Sequence, residues 1–301
     1  MNKQFVSLIF LLFFLSFIWS CKDDEEQPEP ELSTNEKIYE FIKYWYLWNS
    51  ELPDNVNPNA YNSPEALMDA IIFKPIDKWS FITSWESFDL FFRQGSFTGF
   101  GMGLKLDAQN QLRITYAYDD SPAGQAGFDR GDKINKLNGE SVDVLLQEDR
   151  LNNVLEVNQT ILIEGVKLNG DSFNQTLSKA AVGINTVLYH DVIVDGDYRI
   201  GYFVFNNFIE KSYADLKIVF DEFKAQGVNE IVIDLRYNGG GTLGATDSLA
   251  SLLRKTTTEN ELFLEIAYNE DRTESNEPIY FKKLDNAAEI TRLYAITTSS
   301  S

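Results

Sequence analysis

The chain has 301 residues, of which 44% are hydrophobic, and its formal net charge at pH 7 is −20. This length suits about two domains with additional segments, and this hydrophobic content excludes an acidic disordered protein. The negative charge argues against a nucleic-acid partner and against attraction to anionic lipid surfaces. A single His and a single Cys exclude a metal site built from several of these residues, and no metal or cofactor is predicted.

The first 20 residues have the pattern of a secretory signal peptide, with Lys3 followed by a short apolar run. The sequence Ile18-Trp19-Ser20-Cys21 resembles a bacterial lipobox. The resemblance implies that Cys21 carries a lipid anchor and that residues 21–32 form an acidic tether. The acidic run is similar to the export signal of Bacteroidetes surface lipoproteins. We therefore expect a bacterial cell-envelope protein that is lipid-anchored to the outer membrane and exposed at the surface; a plain charged tether is the alternative.

Residues 33–94 have the periodicity of short helices. Ser33 and Glu36 have the spacing of a capping box, and a Ser-Pro pair at 63–64 begins a second helix. A third short helix is predicted at 85–93. The first helix is predicted to have one strongly apolar face, formed by Ile38, Phe41, Ile42, Trp45 and Trp48.

From Gly95 the pattern changes to short strands separated by turns. Residues 111–118 alternate like a strand, and Ser-Pro-Ala, Gly-Asp and Asn-Gly turns follow in that order. Together with Gly-Phe-Gly-Met at 99–102, these motifs resemble a PDZ domain of the bacterial protease type over residues 95–180. The resemblance implies a β-barrel-like domain that captures peptides with a free C-terminus.

The PDZ resemblance also implies which residues bind the peptide. Backbone N–H groups of Gly99, Phe100 and Gly101 would hold the terminal carboxylate, and the peptide would pair with the strand that begins at Met102. The alternative is a domain that serves only as a spacer or hinge.

Residues 181–301 alternate between strands and helices, which predicts a parallel βαβ unit. Gly227 is predicted to end the first of these helices. His190 lies between apolar residues and is interpreted as a strand residue rather than a catalytic base. The predicted strands are 184–194, 198–205, 231–235, 262–268 and 293–297, and the predicted helices are 213–223 and 243–253.

The segment 230–243 joins a buried strand to a glycine-rich turn. Three consecutive glycines at 239–241 follow Asp234 and Arg236. Glycines permit positive φ and let backbone N–H groups approach a ligand, as they do at an oxyanion site. The segment lacks the Gly-Lys-Ser/Thr of a phosphate loop and the G-x-G-x-x-G of a dinucleotide site. An ordinary βα turn is the alternative.

The order of these elements resembles the tail-specific or C-terminal processing serine proteases, peptidase family S41. The residues that carry the resemblance are the 198–208 segment, the helix after it, and Asp-Leu-Arg-Tyr-Asn-Gly-Gly-Gly at 234–241. The resemblance implies a core of crotonase-like βαβ units and a serine nucleophile with a lysine base. Gly239 and Gly240 are its oxyanion-loop candidates, and positive φ is expected at both.

The family places its nucleophile directly after the strand predicted at 293–297. Residues 299–301 would lead to that nucleophile, and Ser301 is the candidate within the sequence. The lysine, whose pKa burial can lower enough for it to act as a base, is expected further along. The expectation is therefore that this chain lacks the nucleophile and the lysine.

The sequence thus predicts an α+β multidomain protein with an N-terminal helical segment, a PDZ domain and an incomplete protease core at 181–301. The predicted function is a serine endopeptidase that recognises the C-termini of protein or peptide substrates. The alternative is a catalytically inactive, peptide-binding surface lipoprotein. A crotonase-like acyl-CoA enzyme would share the βαβ core, but the PDZ motifs and the export signal argue against it.

Overall fold

The computed structural model describes residues 31–254 and 260–298. The predicted signal peptide, Cys21 and Ser301 lie outside these residues. The contacts divide the chain into two compact units with the boundary between Phe81 and Ile82. Within the described ranges, we find no helix with both the length and the apolar character needed to span a bilayer.

The first unit is helical. Helix α1 (Thr34–Trp45) begins with the predicted capping box, in which Ser33 accepts from the N–H of Glu36 and the Glu36 carboxylate accepts from the N–H of Ser33. Helix α2 (Pro64–Ile71) begins with its proline in the first turn, as predicted. The core of this unit consists of Ile42, Leu67 and Ile71 with partly buried neighbours.

The prediction of one broad apolar face on α1 is wrong. Ile42 is buried, but Phe41 and Trp45 are 63% and 40% exposed. Phe41 points about 100° away from Ile42 around the helix axis, and is therefore turned away from the packed side. The helix ends at Trp45, so Trp48 is outside it.

The second unit begins with α3 (Trp85–Phe88), which continues into a π-helical turn at Asp89–Arg93, so the predicted helix at 85–93 is confirmed. A two-stranded sheet pairs β1 (Ser96–Gly99) with β8 (Ala180–Gly183). The strands of a larger antiparallel sheet are β2 (Met102–Leu106), β3 (Leu112–Ala117), β4 (Lys133–Leu137), β5 (Glu140–Ser141), β6 (Thr160–Val166) and β7 (Ser172–Ser178). Their order in the sheet is β2-β3-β4-β6-β7, and β5 pairs with β4.

Three short helices accompany this antiparallel sheet: α4 (Pro122–Gln125), α5 (Val142–Gln147) and α6 (Leu151–Val157). Alternate strand residues point inward, because successive side chains of a strand face opposite sides. The core formed in this way includes Leu112, Ile114, Ile134, Ile161 and Ile163, each at most 2% exposed.

A four-stranded sheet forms the α/β part of the second unit, and its strands lie in the order β14 (Arg292–Ile296), β11 (Glu230–Asp234), β10 (Tyr198–Phe205) and β9 (Val187–Asp195). β10, β11 and β14 are parallel, and β9 is antiparallel to β10, so the predicted parallel βαβ unit is confirmed. A hairpin of β12 (Leu262–Ile266) and β13 (Glu277–Tyr280) is separate. The helices of this part are α7 (Ser212–Ala225) and α8 (Leu243–Leu253).

Aromatic packing joins α7 to this sheet. Phe203 of β10 contacts Phe220 and Phe223 of α7, and all three side chains are at most 1% exposed. Gly227 has φ +68°, the left-handed conformation that ends many helices, so the predicted helix end is confirmed. His190 lies on β9 with its Nε2 3.0 Å from a carboxylate oxygen of Glu222, which agrees with its interpretation as a strand residue.

Candidate functional site

The three parallel strands end at one edge of the sheet. Val204 is in register with Asp234, and Asp234 is in register with Ile296. The chain after each strand therefore leaves at the same place, which is where open α/β sheets bind ligands. The segment that follows β11, residues 236–242, is called the glycine loop below.

Asp234 anchors the start of the glycine loop. Its side chain is fully buried and accepts hydrogen bonds from Nε of Arg236 at 2.9 Å and from the hydroxyl of Tyr202 at 2.8 Å. Burial alone would raise the pKa of the Asp234 carboxyl, but the hydrogen bonds from Arg236 and Tyr202 outweigh burial and hold that pKa below its usual value. The hydrogen bonds that Arg236 donates to Asp234 in turn raise the pKa of Arg236. Asp234 is thus a structural anion, not a free base.

Hydrogen bonds within the chain hold the glycine loop. The N–H of Gly239 donates to the backbone oxygen of Asn206 at 3.2 Å, and the N–H of Gly240 donates to Oδ1 of Asn238 at 2.8 Å. The N–H of Gly241 has no acceptor among the residues that the structure describes. The two predicted oxyanion donors are therefore both occupied in this conformation.

Positive φ occurs one residue later than predicted. Gly240 has φ +87° and Gly241 has φ +145°, whereas Gly239 is outside the left-handed region. A Cβ on Gly241 would lie 1.9 Å from the backbone oxygen of Phe208, while a Cβ on Gly239 or Gly240 would meet nothing within 4 Å. The close approach arises because Phe208 bridges the loop: its N–H donates to Gly240 and its oxygen accepts from Thr242.

Asn206, directly after β10, connects the glycine loop to the antiparallel sheet. Its side chain is 1% exposed, and Nδ2 donates to the hydroxyl of Tyr118 at 2.9 Å. Its Oδ1 is buried without a hydrogen-bond partner. Burial, together with the neighbouring Tyr116, raises the pKa of Tyr118, so this hydroxyl stays protonated.

Tyr237 forms a second connection between the glycine loop and the antiparallel sheet. Its ring lies 6.1 Å from that of Tyr116, and the guanidinium groups of Arg130 and Arg236 lie 5.5 and 5.9 Å from its centroid. Rings and guanidinium groups at these distances attract one another. No role was predicted for Tyr118, Asn206 or Tyr237 from the sequence. For Asn206, the available signal was a polar residue placed directly after a buried strand.

The predicted carboxylate-binding residues form a turn between β1 and β2. The oxygen of Phe100 accepts from Ala123, and the oxygen of Gly101 accepts from Tyr118 and from the hydroxyl of Ser121. The N–H groups of Phe100 and Gly101 have no acceptor in the described part of the chain. The turn, residues 99–102, is called the carboxylate loop below, and it leaves N–H donors available for an anion.

Position 101 requires a glycine because of its backbone conformation and because Ser121 leaves no space for a side chain. Its φ is +79°, and a Cβ there would lie 2.0 Å from the Cβ of Ser121. Met102 begins β2, which lies at the edge of the antiparallel sheet and pairs only with β3 among the described strands. An edge strand of this kind can accept an added peptide strand.

A cleft of about 160 Å³ lies between the end of β3 and the segment that follows β8. Its wall includes Tyr118 and Ser121, which contact the carboxylate loop, and also Val182, Asn185 and Leu188. Neither loop lines this cleft itself. Among residues 31–254 and 260–298 there is no group of His, Cys, Asp and Glu side chains arranged to hold a metal ion.

Comparisons with known proteins match two segments of the chain to models of one family. Residues 33–81 match the peptidase S41 N-terminal domain, and residues 199–292 match peptidase family S41. The second range contains β10 from Arg199 onward, α7, β11 and the whole glycine loop. The resemblance to peptidase family S41 is thereby confirmed for these two segments of the chain.

Two curated proteins of known name are similar to this chain in sequence. A Staphylococcus saprophyticus protein named as a CtpA-like serine protease is 28% identical over 158 residues, which are 52% of this chain and 31% of that protein. The carboxy-terminal processing protease CtpB of Bacillus subtilis is 26% identical over 180 residues, 57% of this chain and 35% of that protein. The chain spans about a third of the length of these relatives.

A solved structure shares the fold. A Bacteroides fragilis protein assigned to the S41 proteases superposes with a TM-score of 0.66 at 23% identity, covering 90% of this chain and 73% of that chain. The mixed helix-and-strand fold class predicted from the sequence is confirmed by this match.

Proposed function

We propose that this protein is a serine endopeptidase of the C-terminal processing type. The observation that carries the proposal is the glycine loop, which lies at the carboxyl edge of three parallel strands inside the range that matches peptidase family S41. Substrates would be proteins or peptides with a free C-terminus. The core would be of the crotonase-like type, and the antiparallel sheet at 95–180 would be a PDZ domain.

The proposed chemistry needs a nucleophile with a base beside it. A serine hydroxyl becomes nucleophilic when a neighbouring group takes its proton, and a lysine in a dry site can do so because burial lowers its pKa. His190 is a poor alternative, because it lies on β9 beside Glu222 rather than at the carboxyl edge of the parallel strands. We assign the nucleophile to the chain after β14, with Ser301 as the candidate within the sequence, and the base to a lysine not yet identified.

The glycine loop would supply the oxyanion donors. For the N–H groups of Gly239 and Gly240 to reach an oxyanion, Gly239 must release Asn206 and Gly240 must release the side chain of Asn238. The N–H of Gly241 needs no such release. A modest shift of the loop on substrate binding would therefore complete the site, since such donors act on charge that develops in the transition state.

The carboxylate loop would capture the substrate terminus. The N–H groups of Phe100 and Gly101 can donate to a terminal carboxylate, and the peptide can pair with the free edge of β2. An envelope location with a lipid anchor on Cys21 is part of the proposal, since it rests on the sequence pattern of residues 1–32.

The full-length protein, assayed on peptides, tests the proposal. It should hydrolyse internally quenched peptides with free C-termini, and Gly240→Ala should lower turnover about a hundredfold to a thousandfold with little change in peptide binding. Gly139→Ala is the matched control, because Gly139 also has positive φ with nothing within 4 Å but lies in a distant turn. Peptide binding without any hydrolysis would overturn the endopeptidase and leave a peptide-binding lipoprotein.

A further inference from the structure

Lys179 lies beside the carboxylate loop although it is 77 to 80 residues away in sequence. Its side chain is half-buried, and its ammonium group lies 5.5 Å from the centroid of the Phe100 ring. The ammonium also donates to the backbone oxygen of Glu156 in α6. The contact with Phe100 places a positive charge against a residue of the loop itself.

The backbone fixes Lys179 in the same place. Its N–H donates to the oxygen of Gln159 at 2.8 Å, and the next residue, Ala180, is in register with Gly99 in the sheet of β1 and β8. The side chain and the main chain thus hold Lys179 independently, so its position does not depend on one flexible contact.

The charge of Lys179 is available to a ligand. An ammonium group has three donors, and the bond to Glu156 uses one of them. No carboxylate within the described residues forms an ion pair with Lys179, whereas Lys167, on the same sheet, lies 3.6 Å from Asp132. A protein with a net charge of −20 repels an anionic peptide terminus at long range, so a local cation is needed to capture one.

We propose that Lys179 is a binding residue for the peptide terminus, and that its ammonium pairs with the terminal carboxylate while Phe100 and Gly101 donate their N–H groups. The inference rests on the proposed capture of C-termini by this loop. A charged donor makes shorter and stronger hydrogen bonds to a carboxylate than a neutral one, so Lys179 supplies the part of the affinity that requires a free C-terminus.

A pair of peptides tests the role of Lys179. Fluorescein-labelled peptides of one sequence ending in valine, one with a free carboxylate and one amidated, are titrated against the purified full chain in detergent and followed by anisotropy. Wild type should prefer the free carboxylate. Lys179→Met, which keeps an apolar stem over Phe100, should weaken binding of the free acid about tenfold and leave the amide unchanged. Lys179→Arg should restore the preference.

Lys136→Met is the matched control, because Lys136 is an exposed lysine on β4, whose partners are β3, β5 and β6. It should keep the full preference for the acid. If wild type binds acid and amide equally, capture of C-termini is refuted and the role of Lys179 with it. If wild type prefers the acid and Lys179→Met keeps that preference, only the role of Lys179 is refuted. Circular dichroism of each variant should match wild type, so that lost binding is not lost folding.

Discussion

The three glycines of the glycine loop offer a graded test of the geometry, because they differ in backbone conformation and in the space around them. Gly239 has neither positive φ nor a neighbour within 4 Å, so Gly239→Ala should change the free energy of unfolding by less than about 1 kcal/mol. Gly240 has φ +87° and open space, so Gly240→Ala should cost about 1–2 kcal/mol in backbone strain alone.

Gly241→Ala should cost the most. The φ of +145° strains an alanine by about 1–3 kcal/mol. The new Cβ would also lie 1.9 Å from the oxygen of Phe208, far inside the roughly 3.5 Å of an ordinary contact. Relieving that overlap stretches the two hydrogen bonds that Phe208 makes to the loop, each worth about 0.5–1.5 kcal/mol. We expect a total of about 3–5 kcal/mol.

The assay for this series is urea unfolding followed by far-ultraviolet circular dichroism. Tryptophan fluorescence is unsuitable, because the five tryptophans lie at or before Trp85 and therefore outside the α/β part. Hydrogen exchange of the Phe208 and Thr242 amides reports the bridge directly, and should accelerate most in Gly241→Ala. An equal cost for Gly240→Ala and Gly241→Ala would refute the close-approach argument, and an equal cost for Gly239→Ala and Gly240→Ala would refute the φ argument.

Three further predictions concern single side chains. Tyr118→Phe should lower the free energy of unfolding by about 1–3 kcal/mol in urea titrations, because Nδ2 of the buried Asn206 loses its acceptor; unchanged stability would contradict this. The pKa of Asp234 is held below its usual 3.8, so the ionised carboxylate stabilises the folded protein fully above that pH. This contribution is lost as the pH falls through the lowered pKa. The stability difference between wild type and Asp234→Asn should therefore shrink below about pH 4 in urea titrations, and a constant difference would refute it. Fatty-acid analogues should label the wild-type protein in cells and fail to label Cys21→Ala; labelling of both would exclude a lipid anchor at this position.

The elements of the α/β part could be predicted closely from the sequence. The strand predicted at 198–205 and the helix predicted at 243–253 have the observed bounds, because both are dominated by apolar residues at a clear period and end at turn signals. The strand predicted to begin at 184 begins instead at Val187. Periodicity specifies which segment pairs, while the first paired residue depends on its neighbours in the sheet.

The details of the site could not be predicted in the same way. The glycines at 239–241 indicated an unusual backbone conformation. Which of them has positive φ depends on Phe208, which lies in the segment after β10. The free N–H groups of Phe100 and Gly101 depend on bonds that only the folded chain forms. Phe41 was placed on an apolar helix face because of its helical spacing, yet its burial is decided by where α2 packs on α1. Local pattern determines elements, and contacts between distant residues determine the site.

The hydrogen bond between Asn206 and Tyr118 joins positions that are 88 residues apart. The entropy lost on closing a loop rises with its length, so contacts of this range are costly to form early in folding. Asn206 also accepts the N–H of Gly239, and the glycine loop therefore acquires its final geometry only when the antiparallel sheet and the parallel strands have met. Loss of this bond should then accelerate unfolding while leaving the folding rate nearly unchanged, as expected of an interaction absent from the folding transition state. We therefore expect this bond to lengthen the lifetime of the assembled site more than it speeds the folding of the chain.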